Sequence, residues 1–101
     1  MVYLDSWDVD WNNPIPSALH GLSEYFAIAP SLLPGSLLLV DDTPLNYNIM
    51  KKVQPMHIEP LINFEKQFGF YPGKGAFIKQ HLQSIGRGKQ IEHGYQLLWQ
   101  F

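Results

Sequence analysis

The stretch Gly35-Ser36-Leu37-Leu38-Leu39-Val40-Asp41-Asp42-Thr43-Pro44 constrains the fold more than any other part of the chain. An unbroken apolar run between a Pro-Gly turn and an acidic corner predicts a strand buried on both faces, and such strands belong to parallel sheets. In an open parallel sheet ligands bind outside the carboxyl ends of the strands, so Asp41 and Asp42 are expected where chemistry is done. The structural alternative is that an Asp or Thr43 simply caps a helix begun at Pro44.

Upstream, Val2-Tyr3-Leu4 reads as a strand running into Asp5-Ser6, followed by a turn-rich, aromatic loop from Trp7 to Pro14. This loop is expected over a pocket, with Trp7, Asp8 and Trp11 as candidate substrate-binding residues. From Ser17, read as an N-cap, the positions Ala18, Leu19, Leu22, Phe26 and Ala29 follow the spacing of one helix face, and Pro30 ends the helix. Residues 1–40 then form a right-handed βαβ unit. Residues 44–73 are broken by Pro55, Pro60, Gly69, Pro72 and Gly73 and predict an irregular insertion. Within it, Thr43-Pro44 starts a short helix through Met50 and Val53, with another helical turn or two near 58–67. Ala76, Phe77, Ile78, His81, Leu82 and Ile85 predict a helix ended at Gly86, and 89–101 an antiparallel hairpin turning at His93-Gly94.

One hundred and one residues suffice for a single domain, and 46% hydrophobic with 14% aromatic residues supplies its core. A net charge of −2, a pI near 6.0 and scattered Lys and Arg give no electrostatic case for nucleic acid or an anionic membrane. The absence of cysteine excludes a disulfide framework and thiolate metal sites, which suits a reducing cytoplasm. Asp5 and Asp8 interrupt any signal-peptide core, and no apolar run approaches ~20 residues. A soluble, cytoplasmic protein is the expectation.

Several local motifs carry little. Asp8-x-Asp10-x-Asn12 imitates a calcium loop, but Asn13 replaces its glycine and Leu19 its final glutamate. Gly73-Lys74-Gly75 lacks the spacing of a phosphate loop and reads as a flexible helix start. His57, in the insertion, is the candidate general base, whereas His20, His81 and His93 are assigned no chemistry.

Taken together, a strand ending in Leu4-Asp5-Ser6, a helix, the Pro34-Gly35-to-Asp42 piece, an insertion, a helix and a terminal hairpin resemble the C-terminal half of a class I S-adenosylmethionine-dependent methyltransferase. The resemblance implies a partial Rossmann-like α/β sheet. Val2–Leu4 would be the fourth strand, Ser36–Val40 the fifth and the hairpin the sixth and seventh, ordered 4-5-7-6 with the last strand antiparallel. No glycine-rich loop follows a first strand here, and no acid ends a second strand to take the ribose hydroxyls, so the cofactor-binding half is missing. On this reading Asp5 and Ser6 touch S-adenosylmethionine, and the chain is inactive by itself. Its expected partners are a small-molecule methyl acceptor and either an N-terminal half or a second copy, joined through the exposed strand edge.

A subset of O-methyltransferases in that superfamily, including those acting on macrolide sugars and relatives of cephalosporin hydroxylase, holds a divalent cation with acids from the ends of strands four and five. Asp5, Asp41 and Asp42 stand at matching positions, which implies that they hold Mg²⁺ against the acceptor's hydroxyls and makes Asp5 catalytic as well as a ligand. Their carboxylates are then expected about 4–7 Å apart, and without a cation at least one pKa should be raised by repulsion.

Two other classes compete. Leu38-Leu39-Val40-Asp41-Asp42 also resembles the opening of a response-regulator receiver domain, but no Asp follows Asp42 to act as phosphoacceptor. A small interaction module using an exposed sheet edge needs no chemistry at all.

Overall fold

The computed structural model describes residues 1–5 and 8–101, so the roles expected of Ser6 and Trp7 fall outside the described residues. The strands β1 (Val2–Leu4), β2 (Leu37–Val40), β3 (Lys89–His93) and β4 (Leu97–Gln100) form one sheet ordered β1-β2-β4-β3. β1 and β2 are parallel, whereas β4 is antiparallel to both β2 and β3. This open mixed sheet has the order expected for strands 4-5-7-6, with β1 at an edge. A parallel pair needs a long crossover, and α1 (Ile15–Ile28) supplies it.

The helix α1 departs from expectation at its start and on its face. It begins two residues before Ser17, with Pro16 in the first turn where a missing N–H is harmless. Ser17 is therefore inside the helix, its hydroxyl donating to the Pro14 carbonyl at 2.9 Å rather than capping. The buried stripe is Ser17, Ala18, Gly21 and Tyr25, while Leu19 and Phe26 are about half exposed at 54% and 50%. The stripe is rotated because Gly21 lets α1 close onto the chain at Lys74, where a Cβ would lie 2.3 Å from the Lys74 carbonyl oxygen.

The insertion is more regular than its prolines suggest. The helix α2 (Tyr47–Val53) is capped by Asn46, whose side chain accepts from the Ile49 N–H, and not by Thr43. The helix α3 (Ile58–Phe68) runs for three turns, with Pro60 in its first turn and Gly69 ending it at φ 80°. A proline within the first turn lacks only an N–H that would have no helical partner, so Pro60 is accommodated at the start of α3 and does not break it. The last helix, α4 (Ala76–Ile85), ends at left-handed Gly86 as expected.

Leu4, Leu38, Val40, Leu97 and Trp99 meet Tyr25 of α1 and Ile78 and Leu82 of α4 in the main core. Side chains alternate across a strand, so the remaining apolar positions face the other way. There Leu37, Leu39 and Leu98 are only half-buried and Tyr3 is 48% exposed. The expectation that β2 is buried on both faces is corrected: both flanking helices lie on one face. A second cluster, Trp11 with Met50 and Leu61, joins the first loop to the insertion. Among the described residues no helix is long and apolar enough to cross a membrane.

Candidate functional site

Parallel pairing in register, Leu4 beside Val40, delivers Asp5 and Asp41 to the same end of the sheet, where the Asp41 N–H donates to the Leu4 carbonyl at 3.3 Å. In a regular strand the next residue would face away. Asp42 instead has φ 48°, a left-handed conformation that Asp tolerates better than most residues, at a cost on the order of 1 kcal/mol. This kink keeps consecutive carboxylates on one side. One oxygen from each of Asp5, Asp41 and Asp42 lies within 4.8 Å of the others, at the near end of the expected separation. Oxygens sharing one octahedral cation at ~2.1–2.4 Å stand about 3–4.8 Å apart, so the donor set fits a hard divalent ion.

Two of the three carboxylates, those of Asp41 and Asp42, are oriented by neighbours, whereas Asp5 is exposed. Asp41 Oδ2 accepts from the Tyr3 hydroxyl at 2.8 Å, and its Oδ1 accepts from the Asp42 N–H at 2.9 Å and from Gln96 Nε2 at 3.2 Å. Asp42 Oδ1 accepts from the Tyr95 hydroxyl at 2.7 Å, and Gln54 Nε2 donates to that same hydroxyl. Burial pushes the Asp41 carboxyl up, but the hydrogen bonds from Asp42, Tyr3 and Gln96 and the charge of Lys74 hold it below the ordinary carboxylate range. The Tyr3 phenol is in turn pushed up to about 12, chiefly by its bond to Asp41.

Asp42 shifts the other way. Burial raises it first, and the charges of Asp41, Asp5 and Asp8 raise it further, against the bond from Tyr95. The direction is the one repulsion alone would give, but burial is the larger cause and repulsion adds to it. Because the Tyr95 bond favours the ionised form, Tyr95→Phe is expected to move the Asp42 carboxyl higher still, which carbon-detected NMR titration of the Asp side chains measures. An unchanged or lower value would show that Tyr95 does not donate to Asp42.

Thr43 settles the local role of the acidic corner. Its hydroxyl donates to the Asp41 carbonyl at 2.8 Å and accepts from the Gly75 N–H at 2.9 Å. The Asp-Asp-Thr-Pro segment therefore starts no helix of its own, and ties β2 to Gly73-Lys74-Gly75. That glycine-flanked segment is packed rather than loose: Lys74 is fully buried, with Nζ 3.7 Å from Glu24 Oε1.

Beside the acids, Asp8, Trp11, Asp42, Gln54 and His57 line a cleft of about 220 Å³. The structure thus brings together Asp8, Trp11 and His57 with one member of the acidic cluster. Trp11 is only 5% exposed, and its ring stands 6.1 Å from that of His57, so it is core and cleft wall at once. Sequence reasoning missed Tyr3, Gln54, Lys74, Tyr95 and Gln96. For two of them a signal existed: if the last strand lies antiparallel to β2, the residues just before it must reach those just after β2. The pairing Val40 with Leu97 and the Thr43 N–H bond to the Tyr95 carbonyl at 2.8 Å are that consequence.

No family model, curated protein or solved structure matches the chain.

Proposed function

We propose that the chain is the C-terminal part of an S-adenosylmethionine-dependent O-methyltransferase that acts on a hydroxyl of a small molecule with the help of a divalent cation. The convergence of Asp5, Asp41 and Asp42 at the carboxyl ends of two parallel strands carries this reading. When bound, the cation lowers the pKa of the acceptor hydroxyl and S-adenosylmethionine provides the methyl group. The chain's own residues bind and orient the acceptor: Trp11 presents an aromatic wall, Asp8 and Gln54 offer polar contacts, and a His57 ring nitrogen takes the hydroxyl proton. Tyr3, Gln96 and Tyr95 hold the acids in place.

The half-covered sheet supports the same reading. Leu37, Leu39 and Leu98 make a face apolar enough for a second layer, and among the described residues no strand pairs with the outer side of β1. An N-terminal half carrying the glycine-rich loop satisfies both. The free edge also favours a second reading, an interaction module joining a strand of another chain by β-augmentation. Against the receiver reading stands the antiparallel β4 beside β2, where a receiver places parallel strands.

Manganese, which takes the same oxygen donors and is visible by electron paramagnetic resonance, tests the proposal. One Mn²⁺ per chain is expected, lost in Asp42→Asn, together with S-adenosylmethionine binding no tighter than about millimolar by equilibrium dialysis. Absence of Mn²⁺ binding would sink the metal reading. Micromolar cofactor affinity would instead show that the chain holds a cofactor site of its own.

A further inference from the structure

A second cavity, of about 240 Å³, opens where the corner after β2 meets α4 and the end of β3. Leu45, Phe70, Tyr71 and Ala76 supply apolar and aromatic wall, and Lys79 and His93 supply its ionisable groups; no carboxylate lines it. The His93 tautomer is fixed by its partners. Nε2 lies 2.7 Å from the Thr43 carbonyl, which can only accept, so Nε2 carries the proton and Nδ1 is a bare acceptor. Lys79 Nζ, 2.9 Å away, donates to it.

The consequence is an unbalanced charge. An ammonium has three donors, and among the described residues Lys79 spends one, on a neutral ring, with no carboxylate within ion-pair reach. Burial pushes the Lys79 ammonium down from its ordinary value, and His93 is likewise pushed down by burial, with Lys79's charge adding to it. A neutral His93 leaves a single positive charge beside apolar and aromatic side chains and the neutral amides of Gln80 and Gln83. Such a site selects an anion with an apolar body. Its size is below the ~300–1,000 Å³ of sites for drug-sized ligands, which limits the body to about one ring.

We propose that this cavity binds a small aromatic monocarboxylate, its carboxylate on Lys79 Nζ and its ring against Phe70, Tyr71 and Leu45. The site is separate from the acidic cleft and does not depend on the methyltransferase reading. Charge weighs against the obvious alternatives: a dianion such as phosphate finds one cation, and a cation finds no acid among the lining residues.

Phenylacetate and its neutral isostere phenylacetamide are the probes, titrated into the full chain and followed by amide chemical shifts. Phenylacetate is expected to move the amides of Leu45, Ala76 and Lys79 and to bind at least tenfold tighter than the amide. Lys79→Gln is expected to erase that preference, with the circular dichroism spectrum and melting temperature confirming that the variant folds. Equal affinities for acid and amide, shifts centred on Asp41 and Asp42, or no response at 10 mM phenylacetate would each overturn the proposal. If Lys79→Gln fails to fold, the acid-to-amide ratio on the unaltered protein decides alone.

Discussion

Gly21→Ala is expected to lower the unfolding free energy by about 3 kcal/mol, a drop in melting temperature on the order of 10–20 °C for a domain of this size. In an exposed helix interior the same change would stabilise by roughly 1 kcal/mol, since alanine is the better helix former. The sign reverses here because the added Cβ meets the Lys74 carbonyl oxygen at 2.3 Å, and that peptide is held on both sides, by the Lys74 N–H donating to the Asp42 carbonyl and the Gly75 N–H donating to the Thr43 hydroxyl. Ser23→Ala, on the exposed side of the same helix, is the control and should change little. Thermal melts of the two variants decide the matter. A Gly21→Ala protein as stable as the parent would mean that α1 is not seated on the Lys74 segment.

Glu24→Leu is expected to be about as damaging, for an electrostatic reason. Lys74 is fully buried, and Glu24 is its ion-pair partner among the described residues. Removing the acid strands a charge in the interior, which typically costs about 3–5 kcal/mol, whereas replacing both members with apolar residues is often close to neutral. The double variant Glu24→Leu with Lys74→Met should therefore recover most of the loss, and urea unfolding of the full cycle measures the coupling. The single variant Lys74→Met has a separate signature at the candidate site. Lys74 helps hold the Asp41 carboxyl low, so its removal should raise that carboxyl. Additive effects of the two substitutions would show that they do not act as a pair.

Much of this architecture was legible because its determinants are local. The four apolar residues 37–40 and the glycines after α4 each dictate geometry within a few residues, and the strand order followed from the resemblance they support. The hairpin turn lies at 94–96, with His93 still in β3 and not in the turn. The acids were legible for a topological reason, since parallel strands must place their carboxyl ends together. What was not legible depends on distant partners. Leu19 and Phe26 look like core until Gly21 is known to meet Lys74, and Lys74 looks solvated until Glu24 is known to face it. Pro60 looks like a breaker unless the helix is known to start two residues earlier. His93 looks idle in a turn until the Thr43 carbonyl and Lys79 arrive from elsewhere in the chain to fix its proton.

The position of β4 bears on how the molecule assembles in time. It is the last strand in chain order, yet it lies inside the sheet, between β2 and β3. A nascent chain extended through α4 holds β2 with a neighbour on one side only, and β3 has no partner until residues 97–100 are present. Closing that sheet is a late event between distant segments, the kind that slows folding and leaves apolar edges open to other chains meanwhile. A frameshift or a protease that removes residues 97–100 takes away the middle of the structure, not its margin. Within residues 1–101 the strand that closes the sheet is made after both of the strands it joins.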